Sequence, residues 1–178
     1  MSNTVYIAAS IDGYIAREDG NIDWLMELPN PDNSAYGFSI FLKRIDGIIM
    51  GRNTYETVLG FNEWPYPKAL PIFVLSNTLD ELPGKLTGKV EIVRGDLKSV
   101  IKLLRDTGIN NLYIDGGRTI QSFLKEDLID EMIITRIPIL LGSGIPLFNK
   151  NYSELKFEHV ETQVLGNMLV RSRYFRKR

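Results

Sequence analysis

Three short segments of the sequence share one chemical make-up: Gly51-Arg52-Asn53-Thr54, Ser76-Asn77 and Gly116-Gly117-Arg118-Thr119. Each stands at the end of an apolar run of strand type: Gly47-Ile48-Ile49-Met50, Pro71-Ile72-Phe73-Val74-Leu75 and Asn111-Leu112-Tyr113-Ile114, the last followed by Asp115. Glycine lets a backbone come close to a ligand, and arginine offers a planar fork of donors suited to phosphate. A helix that opens at such a point turns its first N–H groups and the positive end of its dipole toward an anion. In open α/β sheets ligands bind outside the carboxyl ends of the strands. The three segments therefore predict one phosphate- and ribose-binding edge. Gly51 alone fits an ordinary strand-to-helix turn, Arg52 a solvated charge and Ser76 a turn residue. Gly116-Gly117 is more telling, because paired glycines beside a strand signal close backbone approach. The recurrence at equivalent positions on one sheet carries the reading. Neither a G-x-G-x-x-G fingerprint nor a P-loop occurs, and Gly142-Ser143-Gly144, between apolar strands, reads as a turn.

Side chains able to move a proton or support a ring are few. Asp12 precedes Gly13, common turn chemistry, and is a weak candidate for the site. Trp24, beside Asp23, is either core or a substrate platform. Asp32 is a candidate proton donor and equally a helix cap. Asp130-Glu131 reads as a charged turn or an interface contact rather than an acid pair. The single histidine, His159, has only Glu158 and Glu161 beside it and reads as a solvated strand residue, so no metal site is expected. There are no cysteines, which removes disulfides, thiolate metal sites and thiol nucleophiles together. Arg171, Arg173, Arg176, Lys177 and Arg178 read as the exposed face of an edge strand and a frayed tail. With a net charge of -1, nothing global attracts nucleic acid or an anionic membrane.

The elements that must position these residues follow from periodicity. Val5-Tyr6-Ile7-Ala8-Ala9 is a continuous apolar run of buried-strand type, and Val90-Glu91-Ile92-Val93 is a further strand. Helices are predicted from an Asp32-Asn33-Ser34 cap through Phe38, Phe41 and Leu42, from about Thr54 to Leu59, from an Asp96 cap through Val100, Leu103 and Leu104, and through Ile120, Phe123 and Leu124. Long strands close the chain: Glu131 to Ile139, Lys156 to Leu165 and Met168 to Phe175, with a hairpin turn at Gly166-Asn167. The expected fold is α/β: a mostly parallel central sheet with helices on both faces and antiparallel C-terminal strands. The 178 residues form one domain, 1–178, with no linker. No apolar stretch reaches the roughly 20 residues of a membrane helix and no secretory signal is visible, so a cytoplasmic protein is expected.

The order and spacing of these motifs resemble the dihydrofolate-reductase-like superfamily over nearly the whole chain. Gly51-Arg52-Asn53-Thr54-Tyr55 resembles the glycine-arginine-x-threonine-aromatic motif of dihydrofolate reductases. Leu75-Ser76 is similar to the leucine-serine after their next strand, and Gly116-Gly117 to their paired glycines. Ala8 to Ala16, with Asp23-Trp24, resembles their first strand and mobile loop. Gly116-Gly117-Arg118, Phe123-Leu124, Leu128 to Glu131 and Pro138 to Gly144 look more like the reductase domain of the bifunctional riboflavin-biosynthesis deaminase/reductase.

The resemblance implies NADPH as cofactor. Arg52, Ser76 and Asn77 would hold the adenosine 2′-phosphate, Thr54 would meet the pyrophosphate from its helix N-terminus, and Gly51 counts among the cofactor-binding residues. Gly116, Gly117, Arg118 and Thr119 would line the path to the nicotinamide, with Ala8 and Ile15 flanking its ring. Trp24 would lie near the substrate. The implied activity is hydride transfer to a small heterocyclic substrate, either a ribosylaminopyrimidine of riboflavin synthesis, as for 5-amino-6-(5-phosphoribosylamino)uracil reductase, or dihydrofolate or another pterin. The alternative is a non-catalytic NADPH-binding protein. Dihydrofolate reductases carry a substrate-anchoring acid near the start of the helix before the Gly51 strand, and that position holds Ala35 here. The chain has no zinc-deaminase ligand set. The apolar late strands and the resemblance together lead us to expect a homodimer.

Overall fold

The computed structural model describes residues 1–29, 35–82, 89–150 and 153–178. Its main sheet has eight strands: β1 (Ser2–Ser10), β3 (Gly47–Gly51), β4 (Ile72–Leu75), β5 (Val90–Val93), β6 (Asn111–Asp115), β7 (Glu131–Ile137), β9 (Phe157–Leu165) and β10 (Leu169–Arg176). They lie in the order β5-β4-β3-β6-β1-β7-β10-β9. The pairs from β5 to β7 are parallel, and β7-β10 and β10-β9 are antiparallel. Two short strands, β2 (Tyr14–Ala16) and β8 (Ile145–Pro146), pair with each other beside it.

Side-chain alternation on the central strands builds two cores. In β3, Ile48, Ile49 and Met50 are all fully buried. Ile49 joins a core with α4 (Leu97–Asp106) and α5 (Gly117–Lys125), while Ile48 and Met50 join one with α2 (Phe38–Leu42) and α3 (Arg52–Leu59). Burial of each such side chain contributes about 1.5–3 kcal/mol, so this strand has no solvent-facing side to slip toward.

Several elements differ from the sequence expectation. α2 begins only at Phe38, with Gly37 as its N-cap at φ 90, after a 3-10 turn at Ala35–Gly37; Asp32-Asn33-Ser34 lies outside the described residues. On α4 the buried face is Leu97, Val100, Ile101 and Leu104, and Leu103 points to solvent. Its Asp96 cap forms as expected, accepting the Ser99 N–H at 2.9 Å. β7 stops at Ile137, not Ile139, because Pro138 has no N–H for the ladder and Ile139 N–H turns back to Ile137 O at 2.8 Å.

The basic C-terminal segment is not an exposed edge with a frayed tail. β10 lies between β7 and β9. Arg173 Nε donates to Glu131 Oε1 at 2.6 Å, Arg176 Nε to Asp127 Oδ1 at 2.6 Å and Arg178 Nη1 to Asp130 Oδ1 at 2.7 Å. Glu131 is not a charged turn residue either. It is buried, bonded also to Arg44 and to Thr4 Oγ1, so the cost of burying its charge is offset by two arginines. His159 is exposed, its Nε2 2.7 Å from Thr162 Oγ1, as expected of a solvated strand residue. Among the described residues no group of acidic or histidine side chains could hold a metal, and no helix is long and apolar enough to cross a membrane.

Candidate functional site

A cleft of about 1640 Å³ opens at the carboxyl ends of β3, β4, β6 and β1. Gly51, Arg52 and Thr54 line it from the start of α3, Ser76 from the end of β4, and Gly116, Gly117, Arg118 and Thr119 from the start of α5. Ala8 of β1 and Ile15 of β2 line it too. The topology thus brings ten of the eleven expected cofactor residues together. Asn77 does not line the cleft; its Oδ1 accepts the Gly95 N–H at 3.4 Å.

The helix starts divide into two kinds. α4, away from the cleft, closes its N-terminus with Asp96. α3 and α5 have glycine N-caps, no side-chain cap bond and no acidic residue in the first turn. Their leading N–H groups are the unsatisfied donors of a helix start, and they face the cleft, where an anion can accept from them. This is the structural fit to a dinucleotide pyrophosphate.

The glycines have a second duty. A Cβ on Gly116, which sits at φ +89, would stand 2.1 Å from Thr54 Oγ1. One on Gly117 would stand 2.7 Å from Ile15 Cδ1, and one on Gly51 3.1 Å from Thr119 Oγ1. The close approach inferred from sequence is therefore made first by the protein itself, which locks the two helix starts and β2 together.

The side chains expected from the sequence to bind phosphate are held by neighbours. Ser76 Oγ accepts the N–H groups of Thr78 and Leu79 at 3.3 and 3.1 Å, which leaves its hydroxyl hydrogen as a donor. Arg52 Nε donates to Glu56 Oε1 at 2.7 Å, one turn along α3, with both side chains substantially exposed. Such a pair is worth little in stability but sets a counter-charge beside Arg52.

The other half of the cleft is aromatic around one carboxylate. Tyr6, Tyr36, Phe38, Tyr66 and Tyr113 line it together with Asp115. Tyr66 Oη donates to Asp115 Oδ2 at 3.0 Å, and Tyr113 Oη donates to Tyr6 O at 3.1 Å. Desolvation pushes the Asp115 carboxyl above its ordinary range, against the lowering effect of the hydroxyl that Tyr66 donates to it. The same desolvation, with Asp115 alongside, raises the Tyr66 phenol well above its usual value. Arg171 Nη1 fixes this wall from behind, donating to Tyr6 Oη at 3.1 Å and Tyr36 O at 2.7 Å.

A family model described as the RibD C-terminal domain matches residues 3–170. The chain belongs to the RibD C-terminal domain family. Its fold is that of dihydrofolate-reductase-like proteins, and the family includes reductases of riboflavin biosynthesis. Protein YwjB of Bacillus subtilis (strain 168), itself uncharacterized, is 37% identical over 164 residues, 91% of each chain. A Shewanella sp. PV-4 protein provisionally named for riboflavin biosynthesis is 52% identical over 100% of both chains, with a TM-score of 0.93. The Thermotoga maritima diaminohydroxyphosphoribosylaminopyrimidine deaminase/5-amino-6-(5-phosphoribosylamino)uracil reductase matches 99% of this chain and 56% of its own at 14% identity, TM-score 0.78. Dihydrofolate reductase of Enterococcus faecalis, solved with NADP(H), matches 99% of this chain and 97% of its own at 14% identity, TM-score 0.66.

Of the three candidate catalytic residues, Asp12 and Trp24 fall outside the lining of the cleft. Asp12 does not line the cleft; its carboxylate accepts from Ser10 Oγ at 2.6 Å, Gly142 N–H at 2.8 Å and Leu141 N–H at 3.2 Å. Those bonds, Ser10's foremost, hold its pKa below the ordinary value, so it serves as a loop clasp. Trp24 is buried with Ile137 and Leu169 and is core, while Leu25 and Met26 beside it line the cleft. Asp32 lies outside the described residues. Asp115 and Tyr66 escaped the sequence reading. The available signal for Asp115 was an acid on the last residue of a buried strand, directly before the paired glycines. Tyr66 gave none, because it comes from a proline-rich loop 49 positions away.

Proposed function

We propose that this chain is an NADPH-dependent reductase acting on a small heterocycle of the ribosylaminopyrimidine or pterin type. The observation that carries the reading is the pair of uncapped helix N-termini, α3 and α5, converging on one cleft whose far half holds a desolvated carboxylate among tyrosines. The open N–H groups of α3 and α5 hold the pyrophosphate. Arg52 and the Ser76 hydroxyl take the 2′-phosphate, with Asn77 at the margin. Ala8 and Ile15 flank the nicotinamide, with Gly116 and Gly117 beneath it. When bound, NADPH supplies a hydride for a C=N or C=O carbon. Asp115 anchors N–H donors of the heterocycle, and its raised pKa lets it carry a proton at pH values where ordinary carboxylates are ionised. Leu25, Leu28, Ile137 and Leu169 exclude water from the reacting faces.

The test is twofold. NADPH at millimolar concentration raises the melting temperature, as any ligand of the native state must. NADPH absorbance then falls in the presence of at least one of a panel of ribosylaminopyrimidines and dihydropterins. Stabilisation without oxidation by any panel member would favour a non-catalytic NADPH-binding protein, a reading that Ala35 motivates. No stabilisation at all would remove both. Dihydrofolate itself ranks behind the other substrates, since Ala35 occupies the position of the folate-anchoring acid.

A further inference from the structure

Taking the reductase reading for which half of the cleft meets the cofactor, we infer that the substrate of this protein has an uncharged, apolar extension and carries no phosphate at that end. The observation is the distribution of charge. The cleft's arginines, Arg52 and Arg118, both sit at the helix starts of the cofactor half. Past Phe38, Phe61, Pro65 and Tyr66, which line both spaces, the cleft continues into a groove of about 1430 Å³. The groove has Trp64 and Leu70 on its walls, with Trp64 packed edge-on against Tyr66 at 5.7 Å. Among the described residues its one cation is Lys43, accompanied by Asp46 and Glu63. On the loop side the cleft adds Glu18 and Asp19. Arg171 does not line the cleft, and it donates to Tyr6, Tyr36 and Gln163.

A phosphate entering this groove would leave water for a surface that offers, among the described residues, one lysine against two carboxylates, Asp46 and Glu63. Desolvation of a dianion without matched donors is costly, and this groove has no arginine fork and, as a helix start, only that of the five-residue α2. The exposed faces of Phe61, Trp64 and Pro65 instead reward an aromatic or aliphatic group through burial. The substrate class that fits is a non-phosphorylated heterocycle with an apolar substituent, in contrast to the 5-phosphoribosyl compound named for the Thermotoga maritima enzyme.

Calorimetric titration of the full chain, with and without NADPH, tests this with four probes. They are 5-amino-6-ribosylaminouracil, its 5′-phosphate, 2,4-diaminopyrimidine and 2,4-diamino-5-benzylpyrimidine. The expected result is that the unphosphorylated ribosyl compound binds at least about tenfold tighter than its phosphate, and that the benzyl compound binds about tenfold tighter than the bare ring. Trp64 lines the groove and not the cleft, so Trp64→Ala should shrink the benzyl advantage to within about threefold while leaving the bare ring's affinity unchanged. Equal or tighter binding of the phosphate, no benzyl advantage, or no binding by any probe overturns the inference. A phosphate preference in a protein that NADPH stabilises removes this inference and leaves the reductase reading intact. An absent NADPH effect with the predicted probe order does the reverse.

Discussion

Replacing Gly116 by alanine isolates the contact that joins the two helix starts. Gly116 has φ 89 and ψ 138, a region that side-chain-bearing residues occupy at a cost of about 1–3 kcal/mol. The new methyl would also meet Thr54 Oγ1 at 2.1 Å, Thr54 Cβ at 3.1 Å and Thr54 Cγ2 at 3.5 Å. Since 2.1 Å lies inside any real contact, Thr54 must move, and overpacking of this kind costs about 1–3 kcal/mol. The total is about 2–6 kcal/mol, which for a domain of this size lowers the melting temperature by roughly 5–20 °C. Thr54→Ala removes Oγ1 and Cγ2 and keeps Cβ, so in that background Gly116→Ala should cost only the backbone part, about 1–3 kcal/mol. Urea unfolding of the two single variants and the double, without cofactor, measures the difference. A coupling of about 1–3 kcal/mol is expected; additivity within about 0.5 kcal/mol would refute the keyed contact.

Arg52→Ala should weaken NADPH about tenfold, the low end for a charge-assisted bond because Glu56 already shares the guanidinium, and should leave NADH within about threefold; equal losses in calorimetry would remove the 2′-phosphate assignment. Glu56→Gln should tighten NADPH and not NADH. Asp12→Ala should speed amide exchange at Leu141 and Gly142; in the wild type the Asp12 carboxyl is lowered, so its contribution is present above the ordinary value of 3.8 and is lost as pH falls through the still lower folded-state pKa. Exchange at those two amides that ignores the substitution would refute the clasp. We propose that the chain is a homodimer: β9 is exposed on almost its whole length, and one face of β9-β10 presents Thr162, Val164, Val170 and Ser172 without a charge. Light scattering should give a dimer mass that Val164→Lys reduces to monomer, and a wild-type monomer contradicts the proposal.

The fold was legible where period and burial coincide. The runs in β1, β3 and β6 are apolar on both faces because helices cover both, and α5 shows its Ile120, Phe123, Leu124 stripe directly. The start of α2 was not legible, since a cap at Asp32-Asn33-Ser34 satisfies the same rules as the left-handed Gly37 that begins the helix. Leu103 misled because any leucine three residues from a core position fits a helical stripe until the neighbouring elements fix its rotation. The arginines of the last strand read as an edge because strand order is a property of the sheet and not of the strand. In the site, the cofactor half was legible because its chemistry lies in contiguous residues after each strand. The substrate half was not: Asp115 pairs with Tyr66 across 49 residues, and no local pattern encodes that.

The two halves also differ in what a substitution costs. In the cofactor half, binding and stability use the same atoms. Gly116 against Thr54, Gly117 against Ile15 and Gly51 against Thr119 are contacts between backbone and side chain that hold α3, α5 and β2 in register. A larger residue there unseats the helix starts whether or not a ligand is present. In the proposed substrate half, part of the lining comes from α2 and from the loop between α3 and β4. Phe61, Trp64 and Pro65 are partly or fully exposed, so exchanging them changes what the groove accepts at little expense in folding. Under the proposed function, the consequence is a scaffold that can be turned toward new heterocycles through that loop while the helix starts assigned to the dinucleotide stay fixed.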